Sequence, residues 1–540
     1  MPRSISLGSF RKSLKDRRTL VRVVGLPIAA AIFAINVIGG PSHGTVPRAP
    51  ATDQEIVAFV ADQIRDTGIP GGAVAIVRDG RVSTTQGFGT ADSTGRPVTS
   101  TTPFTIGSLS KSITATAVMQ LVERGSVSLD TPVQRYLPEF QLADDRAASA
   151  ITVRQLLIQT SGLPPAAGQR PLTQARTDLA NQVAALHDVS PTTTPGSTYA
   201  YSNANYIVLG RLIERVSGEP FGTYVDEHVF APLGMTHAHS AIAAAQADGL
   251  SQAHRLWFGL SREVDPLFRA DLEPAGFLMA SATDLGRFVA AEVDGGALDG
   301  TRVLSAASVA EMEQGAADTN AGDGSRYGFG WVDSQIGGIR MVGHVGSTTD
   351  MASAAFFSPE QKTGVVILLN GQSTLYELAH KPDLIGIAAF ELLEGREPDG
   401  TIAFMYPVFD AISILLLGFI AWRLVALVRR TRAGSVSSPT LFGKRSLGIA
   451  VTVWLSVIVP TEILLGMPGL LGAPWTTLVQ VDLGLVAFAF AGLRLATGAV
   501  WLAILVVSLR RRLAVGPTFR HKVGGRDDRP GVHSASIVAE

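Results

Sequence analysis

Three short patterns in this 540-residue chain carry residue types able to do covalent chemistry. In Ser108-Leu109-Ser110-Lys111 a hydroxyl and an amine stand three residues apart, so on a helix they share a face one turn apart. Burial makes such an amine easier to deprotonate, and it can then take the serine proton as the oxygen attacks a carbonyl. Tyr201-Ser202-Asn203 combines a phenol, which beside an ammonium is held partly as phenolate and can act as base, with an amide that offers both donor and acceptor. His344-Val345-Gly346 sets a histidine on an expected strand beside a glycine, where the missing side chain lets a ligand backbone approach. Each pattern also has an ordinary structural reading: a helix cap, a helix-entry turn and a strand histidine. Ser9-Phe10-Arg11-Lys12 repeats the first spacing in the N-terminal arm, so spacing alone does not select Ser108.

The elements that must position these groups follow from periodicity. Ile113, Ala117 and Leu121, with Val118 and Val122, give the Ser108–Lys111 helix an apolar stripe that Gly125 ends. Tyr201-Ser202-Asn203 follows Pro195-Gly196 and precedes an apolar helical stretch, 206–216. Residues 56–64 read as a helix, and 72–77 and 81–88 as strands joined by a hairpin at Asp79-Gly80. Far downstream, 338–345, 352–357 and 365–370 read as three more strands. The economical arrangement is an α+β domain: one sheet built from both ends of the domain, with a helical insertion between.

Composition places part of the chain in lipid. Charged residues are 17% and apolar residues 46%, against about 25% charged in soluble domains. Four runs, 23–40, 403–422, 447–471 and 483–509, hold at most one charge each. The last three reach the length of about 20 residues that a spanning helix needs, and the first is a signal peptide or a retained anchor. Basic residues fall on alternate sides of these runs: Arg3 to Arg22 before the first, Arg429 to Arg445 after the second, Arg510 to Arg512 after the last. The positive-inside rule then makes residues 1–22 and 510–540 cytoplasmic and everything from about 41 to 402 external. The expected divisions are an arm (1–22), a signal or anchor (23–40), a linker (41–52), a globular domain (53–396), helices at 403–428, 447–471 and 483–509, and a tail (510–540). Glu462 and Arg494 would lie in the membrane, either facing each other or each snorkelling separately. The charge balance, 45 − 46 = −1, provides no basic field for nucleic acid. With no cysteine, thiol catalysis, disulfides and cysteine-ligated zinc are excluded.

Order and spacing then matter. A Ser-x-x-Lys, a Tyr-x-Asn 93 residues on (201 − 108), and a His-x-Gly on a C-terminal strand resemble the serine β-lactamase and DD-peptidase superfamily. The likeness is greatest to class C β-lactamases and their esterase and peptidase relatives, over about residues 54–395. Leu121-Val122-Glu123-Arg124-Gly125, Thr160-Ser161-Gly162, Pro232-Leu233-Gly234-Met235 and residues 275–284 fit it too. The resemblance implies a β-lactamase/transpeptidase-like antiparallel sheet with helices and a helical insertion, followed here by an all-α membrane region. It also implies a Ser108 acyl-enzyme, with Lys111 and Tyr201 sharing the base work and Asn203 holding Lys111 and the substrate amide. The oxyanion would be bound by the backbone N–H groups of Ser108 and Ser347, the residue after His344-Val345-Gly346. No cofactor or metal is implied. Expected partners are a small acyl or peptide substrate, cell-envelope material included, and membrane lipid.

His344 stands where the lactamases usually have lysine. A mostly neutral imidazole favours esters, or amides without a carboxylate, over β-lactams and D-Ala-D-Ala ends. A literal Lys362-Thr363-Gly364 fits a hairpin turn between strands, since the third motif belongs one strand earlier, at His344. His237-Ala238-His239 reads as a solvated loop with no nearby acidic partner in sequence rather than a metal site. A rival function is a receptor that binds an envelope peptide or β-lactam without turning it over and signals through the helices.

Overall fold

The computed structural model describes residues 46–173, 175–257, 260–372, 381–398, 405–433 and 482–514. Its centre is an eight-stranded antiparallel sheet. The strands are β1 (Gly71–Arg78), β2 (Arg81–Gly89), β3 (Ala317–Asp318), β4 (Arg326–Tyr327), β5 (Val332–Ile336), β6 (Ile339–Ser347), β7 (Ala352–Ser358) and β8 (Thr363–Leu369), in the order β2-β1-β8-β7-β6-β5-β4-β3. The first and last parts of the domain thus meet at β1 against β8, where Val74 pairs with Ile367. Asp79 and Gly80 both take positive φ, 50° and 71°, which is the backbone of a tight hairpin matched to strand twist. Lys362, at φ 53°, turns the chain between β7 and β8 and pairs with Asp294 at 2.8 Å. The Lys362-Thr363-Gly364 motif is therefore the expected turn.

The two-residue side-chain period divides the core. Val74, Ile76, Val365, Ile367 and Leu369 pack with Ile56, Val60 and Ile64 of α1 (Asp53–Thr67) and with Phe390. Ala73, Ala75, Val77, Val366 and Leu368 face a larger core holding α2 (Ser110–Glu123), α3 (Asn203–Ser217) and α4 (Ala282–Val293). Helix α4 approaches β1 closely: a Cβ at Gly286 would stand 3.0 Å from the Ala75 Cβ. The polar strands β3 to β5 and a three-stranded sheet, 371–372, 253–257 and 260–264, lack the apolar signature that marks the central strands.

Two carboxyls are buried away from the candidate site. Burial pushes Glu292 on α4 up to about 8 and Glu313 up to about 9, and Glu292 Oε2 has no hydrogen-bond partner among the described residues. Both protons are held more tightly in the folded chain than in the unfolded one. Stability is therefore full below the unfolded value near 4.5 and declines as pH climbs through 8 to 9. Glu292→Gln, which supplies a neutral isostere, should flatten that decline in thermal unfolding between pH 5 and 9. An unchanged slope would remove Glu292 as its source.

Beyond α5 (Lys381–Leu393) lie two long helices, α6 (Met405–Arg432) and α7 (Asp482–Ala514). Within them Ala411–Arg432 and Val486–Ile504, of mean hydropathy 2.4 and 1.6, are long and apolar enough to cross a membrane. Leu415 and Trp422 are 72% and 62% exposed, which a helix in a soluble core would not allow. Arg429, Arg430 and Arg432 close α6. The runs 23–40 and 447–471, together with Ser9, Lys12 and Glu462, lie outside the described residues.

Candidate active site

Ser108 sits in a tight turn, Gly107–Leu109, that leads straight into α2. The turn starts at Gly107 with φ 54°. A Cβ on Gly107 would collide with the Ser347 nitrogen and the Gly346 backbone at the end of β6. Conversely, a Cβ at Gly346 would strike the Ile106 carbonyl oxygen. The two glycines let the turn bearing Ser108 and the end of β6 come into backbone contact. Gly346→Ala should force them apart, at a cost of about 1–3 kcal/mol in denaturant unfolding and with loss of any activity that needs both segments. Wild-type stability and activity in that variant would refute the close-approach account.

Helix α2 is buried on nearly every side, rather than along one stripe. Some of its polar side chains turn back on the backbone: Ser112 Oγ donates to the Leu109 carbonyl at 2.7 Å and Thr116 Oγ1 to that of Ser112 at 3.0 Å. Ser108 caps nothing. Its Oγ instead lies 3.0 Å from Lys111 Nζ and accepts a hydrogen bond from the Tyr201 hydroxyl at 2.8 Å. Lys111 is fully buried. Besides Ser108 it contacts Asn203 Oδ1 at 2.8 Å and the Ala275 carbonyl oxygen at 2.5 Å, and it lies over the Tyr201 ring, 4.8 Å from its centroid. Desolvation holds Lys111 well below the ordinary lysine range.

The two acceptors define the hydrogen-bond direction. Carbonyl oxygens only accept, so Lys111 must donate to both Asn203 and Ala275. A neutral amine then has two protons committed and one lone pair left, facing the Ser108 hydroxyl. Burial pushes the Tyr201 phenol up, against the pull toward phenolate that a neighbouring ammonium would exert. Desolvation outweighs the nearby amine, because that amine is itself driven toward neutrality.

His344, on β6, is buried and spends both ring nitrogens on the protein. Nδ1 lies 2.6 Å from the Val345 carbonyl oxygen, so Nδ1 carries the proton. Nε2, 3.1 Å from the Tyr327 hydroxyl, therefore accepts from the tyrosine. Desolvation, with Lys111 nearby, pushes the imidazole down to about 3. Tyr199, Tyr201 and Tyr327 wall this side, the Tyr327 ring lying 5.5 Å from that of Tyr199 and 6.2 Å from that of Tyr201. Ser347 turns its hydroxyl toward the Thr348 carbonyl oxygen and accepts from Gln372 Nε2 at 3.1 Å.

Ser108, Lys111, Tyr201 and Asn203 are thus in direct contact, and His344, Gly346 and Ser347 border them along β6. The sequence reading missed the Ala275 carbonyl, although residues 275–284 stood out in it, and it missed Tyr327, which nothing in the local pattern marks. His237 and His239, which have no acidic partner close by in sequence, acquire one through the fold. Asp248 lies between them, 2.9 Å from His237 Nδ1 and 2.8 Å from His239 Nε2, brought there by the intervening helix Ile242–Ala247.

An antiparallel sheet whose last strands face a buried Ser-x-x-Lys helix defines the class of serine β-lactamases and penicillin-binding proteins. The Beta-lactamase family profile matches residues 53–390, and the chain belongs to that family. Penicillin-binding protein 4 of Amycolatopsis lactamdurans is 33% identical over 312 residues, which is 56% of this chain and 81% of that protein. Protein flp of Staphylococcus aureus is 24% identical over 411 residues, 76% of this chain and 80% of its own length. Among solved structures, the octameric penicillin-binding protein homologue from Pyrococcus abyssi superposes with a TM-score of 0.57 at 27% identity, covering 64% of this chain and 78% of that one.

Proposed function

We propose that this chain is a membrane-anchored serine hydrolase that cleaves uncharged acyl esters or amides through an acyl-enzyme on Ser108. The observation that carries it is the position of Ser108 Oγ between the Lys111 amine and the Tyr201 hydroxyl. Neutral Lys111 takes the Ser108 proton as the Oγ–carbonyl bond forms and the carbonyl electron pair moves onto oxygen. Backbone N–H groups of Ser108 and Ser347 hold that oxyanion; such donors matter by about 3–4 kcal/mol each. When the tetrahedral species collapses, the leaving alkoxide or amine receives the proton from the Lys111 ammonium through the Tyr201 hydroxyl. Water then attacks the acyl-enzyme carbonyl, its proton passing back to Lys111; as the carbonyl–Oγ bond breaks, the carboxylic acid leaves and the Lys111 ammonium returns the proton to Ser108 Oγ. Asn203 and the Ala275 carbonyl keep Lys111 aimed throughout. The test is labelling by an activated acyl ester, located by mass on the Ser108 peptide.

His344 selects the substrate. Locked neutral, with both nitrogens engaged, it presents no cation to a substrate carboxylate, so short neutral esters are preferred over a penicillin or a D-amino-acid end. His344→Lys should raise kcat/KM for a chromogenic cephalosporin relative to p-nitrophenyl butyrate by about tenfold or more. An unaltered ratio would deny His344 this role. The rival, a non-turnover receptor, predicts acylation without deacylation in the same assay.

We further assign residues 53–396 to the hydrolase domain and 41–52 to its linker. Basic clusters at Arg429, Arg430 and Arg432 and at Arg510 to Arg512 support a cytoplasmic location for those helix ends. That orientation puts the hydrolase domain outside the cell, against envelope substrates.

A further inference from the structure

Residues 199–202, which carry Tyr201 into the site, have no regular secondary structure. What fixes the phenol must therefore come from elsewhere in the fold. Gln159 supplies it from both sides at once. Its main-chain carbonyl oxygen accepts from Ala200 N at 2.8 Å, and its side-chain Oε1 accepts from Ser202 N at 3.0 Å. The residues before and after Tyr201 are thus pinned by one residue. The same Oε1 also accepts from Asn205 Nδ2 at 2.5 Å, and Asn205 Oδ1 accepts from Ser161 Oγ. The clamp is tied in this way to the first turn of α3, whose first residue, Asn203, holds Lys111.

Gln159 reaches this position only through a left-handed backbone, φ 60°, a conformation that glycine or asparagine takes more readily. It is completely buried, and its Nε2 has no hydrogen-bond partner among the described residues. A buried, half-satisfied amide in a strained backbone is a poor choice for stability alone. Its acceptor oxygens are what the site uses.

We propose that Gln159 is a positioning residue that sets the height of the Tyr201 hydroxyl over Ser108. The proposal rests on the reading of Ser108 as nucleophile and Tyr201 as its proton partner. Gln159→Leu fills the space but removes the Oε1 acceptor. Gln159→Glu keeps an acceptor oxygen at that place, while it gives up the N–H₂ beside the Tyr327 hydroxyl and turns a buried amide into a buried carboxyl.

The experiment uses the full-length chain in detergent, acylated by p-nitrophenyl butyrate in stopped flow, with rate constants taken per titrated active site and across pH. Per-site rates make a partly unfolded sample lose amplitude, not speed. The expected result is an acylation rate constant lowered about tenfold to a hundredfold in Gln159→Leu, with KM little changed, and largely restored in Gln159→Glu. A wild-type rate constant in Gln159→Leu, or a loss that Gln159→Glu does not repair, overturns the proposal. If the wild-type chain takes no acyl group on Ser108, the proposed chemistry itself falls and takes the positioning role with it. An acylated wild type beside an undisturbed Gln159→Leu defeats the positioning role alone.

Discussion

Ser108→Ala is expected to abolish acyl-enzyme formation and lower hydrolysis of an activated ester by about 10⁴-fold or more, since removing the nucleophile of a coupled set costs about as much as removing the whole set. Stability should hardly move. The lost hydroxyl is small, it caps no helix, and alanine suits the turn into α2. What disappears is the one oxygen among the described residues that both Lys111 Nζ and the Tyr201 hydroxyl reach, at 3.0 and 2.8 Å. The measurement is intact-mass detection of the acyl adduct beside steady-state turnover, with thermal unfolding as control. An adduct that persists in Ser108→Ala moves the nucleophile elsewhere. Two other hydroxyls of the same helix are poor substitutes, because Ser110 Oγ donates to the Gly107 carbonyl and Ser112 Oγ to that of Leu109, and both are buried.

The contrast between what the sequence revealed and what it hid has a physical basis. The strands β1 and β8 were legible because each is a short apolar run bounded by turn residues, and Asp79-Gly80 announces its own hairpin. Strands β3 to β5 were not: Val332-Asp333-Ser334-Gln335-Ile336 is held by its neighbour's hydrogen bonds and not by apolar side chains. Ser108 and Lys111 were legible because a helix fixes what lies three residues on. Tyr327 and Gln159 were hidden because each acts through a contact made only after folding, His344 to Tyr327 across β6 and β4, and Gln159 to Ala200 and Ser202 across some forty residues. The phenolate reading of Tyr201 took account of an amine nearby, while the burial that pushes the phenol up is set by the fold and not by spacing.

Lys111→Met is the second large effect, and it separates chemistry from folding. The thioether fills the channel of the lysine stem but cannot take a proton, so acylation should fall by about 10²–10⁴-fold, the usual scale of general-base catalysis. Stability should hold or rise. Desolvation lowers the Lys111 pKa, so the folded chain binds that proton less well than the unfolded chain does. Stability from this group is therefore lost as pH falls below the unfolded value near 10.5 and continues to decline until the folded value is passed. At neutral pH the lysine is a cost that methionine removes, offset by the two carbonyl oxygens, of Asn203 and Ala275, left without a donor. In the wild type the same lowered pKa makes acylation rise with pH as the free amine fills, while Lys111→Arg, charged at every accessible pH, should be inactive throughout. Thermal unfolding and the pH dependence of acylation are measured on the three proteins together. A Lys111→Met chain that unfolds early and loses activity only in proportion would make Lys111 a structural residue. A Lys111→Arg chain that still acylates would take the base role away from it.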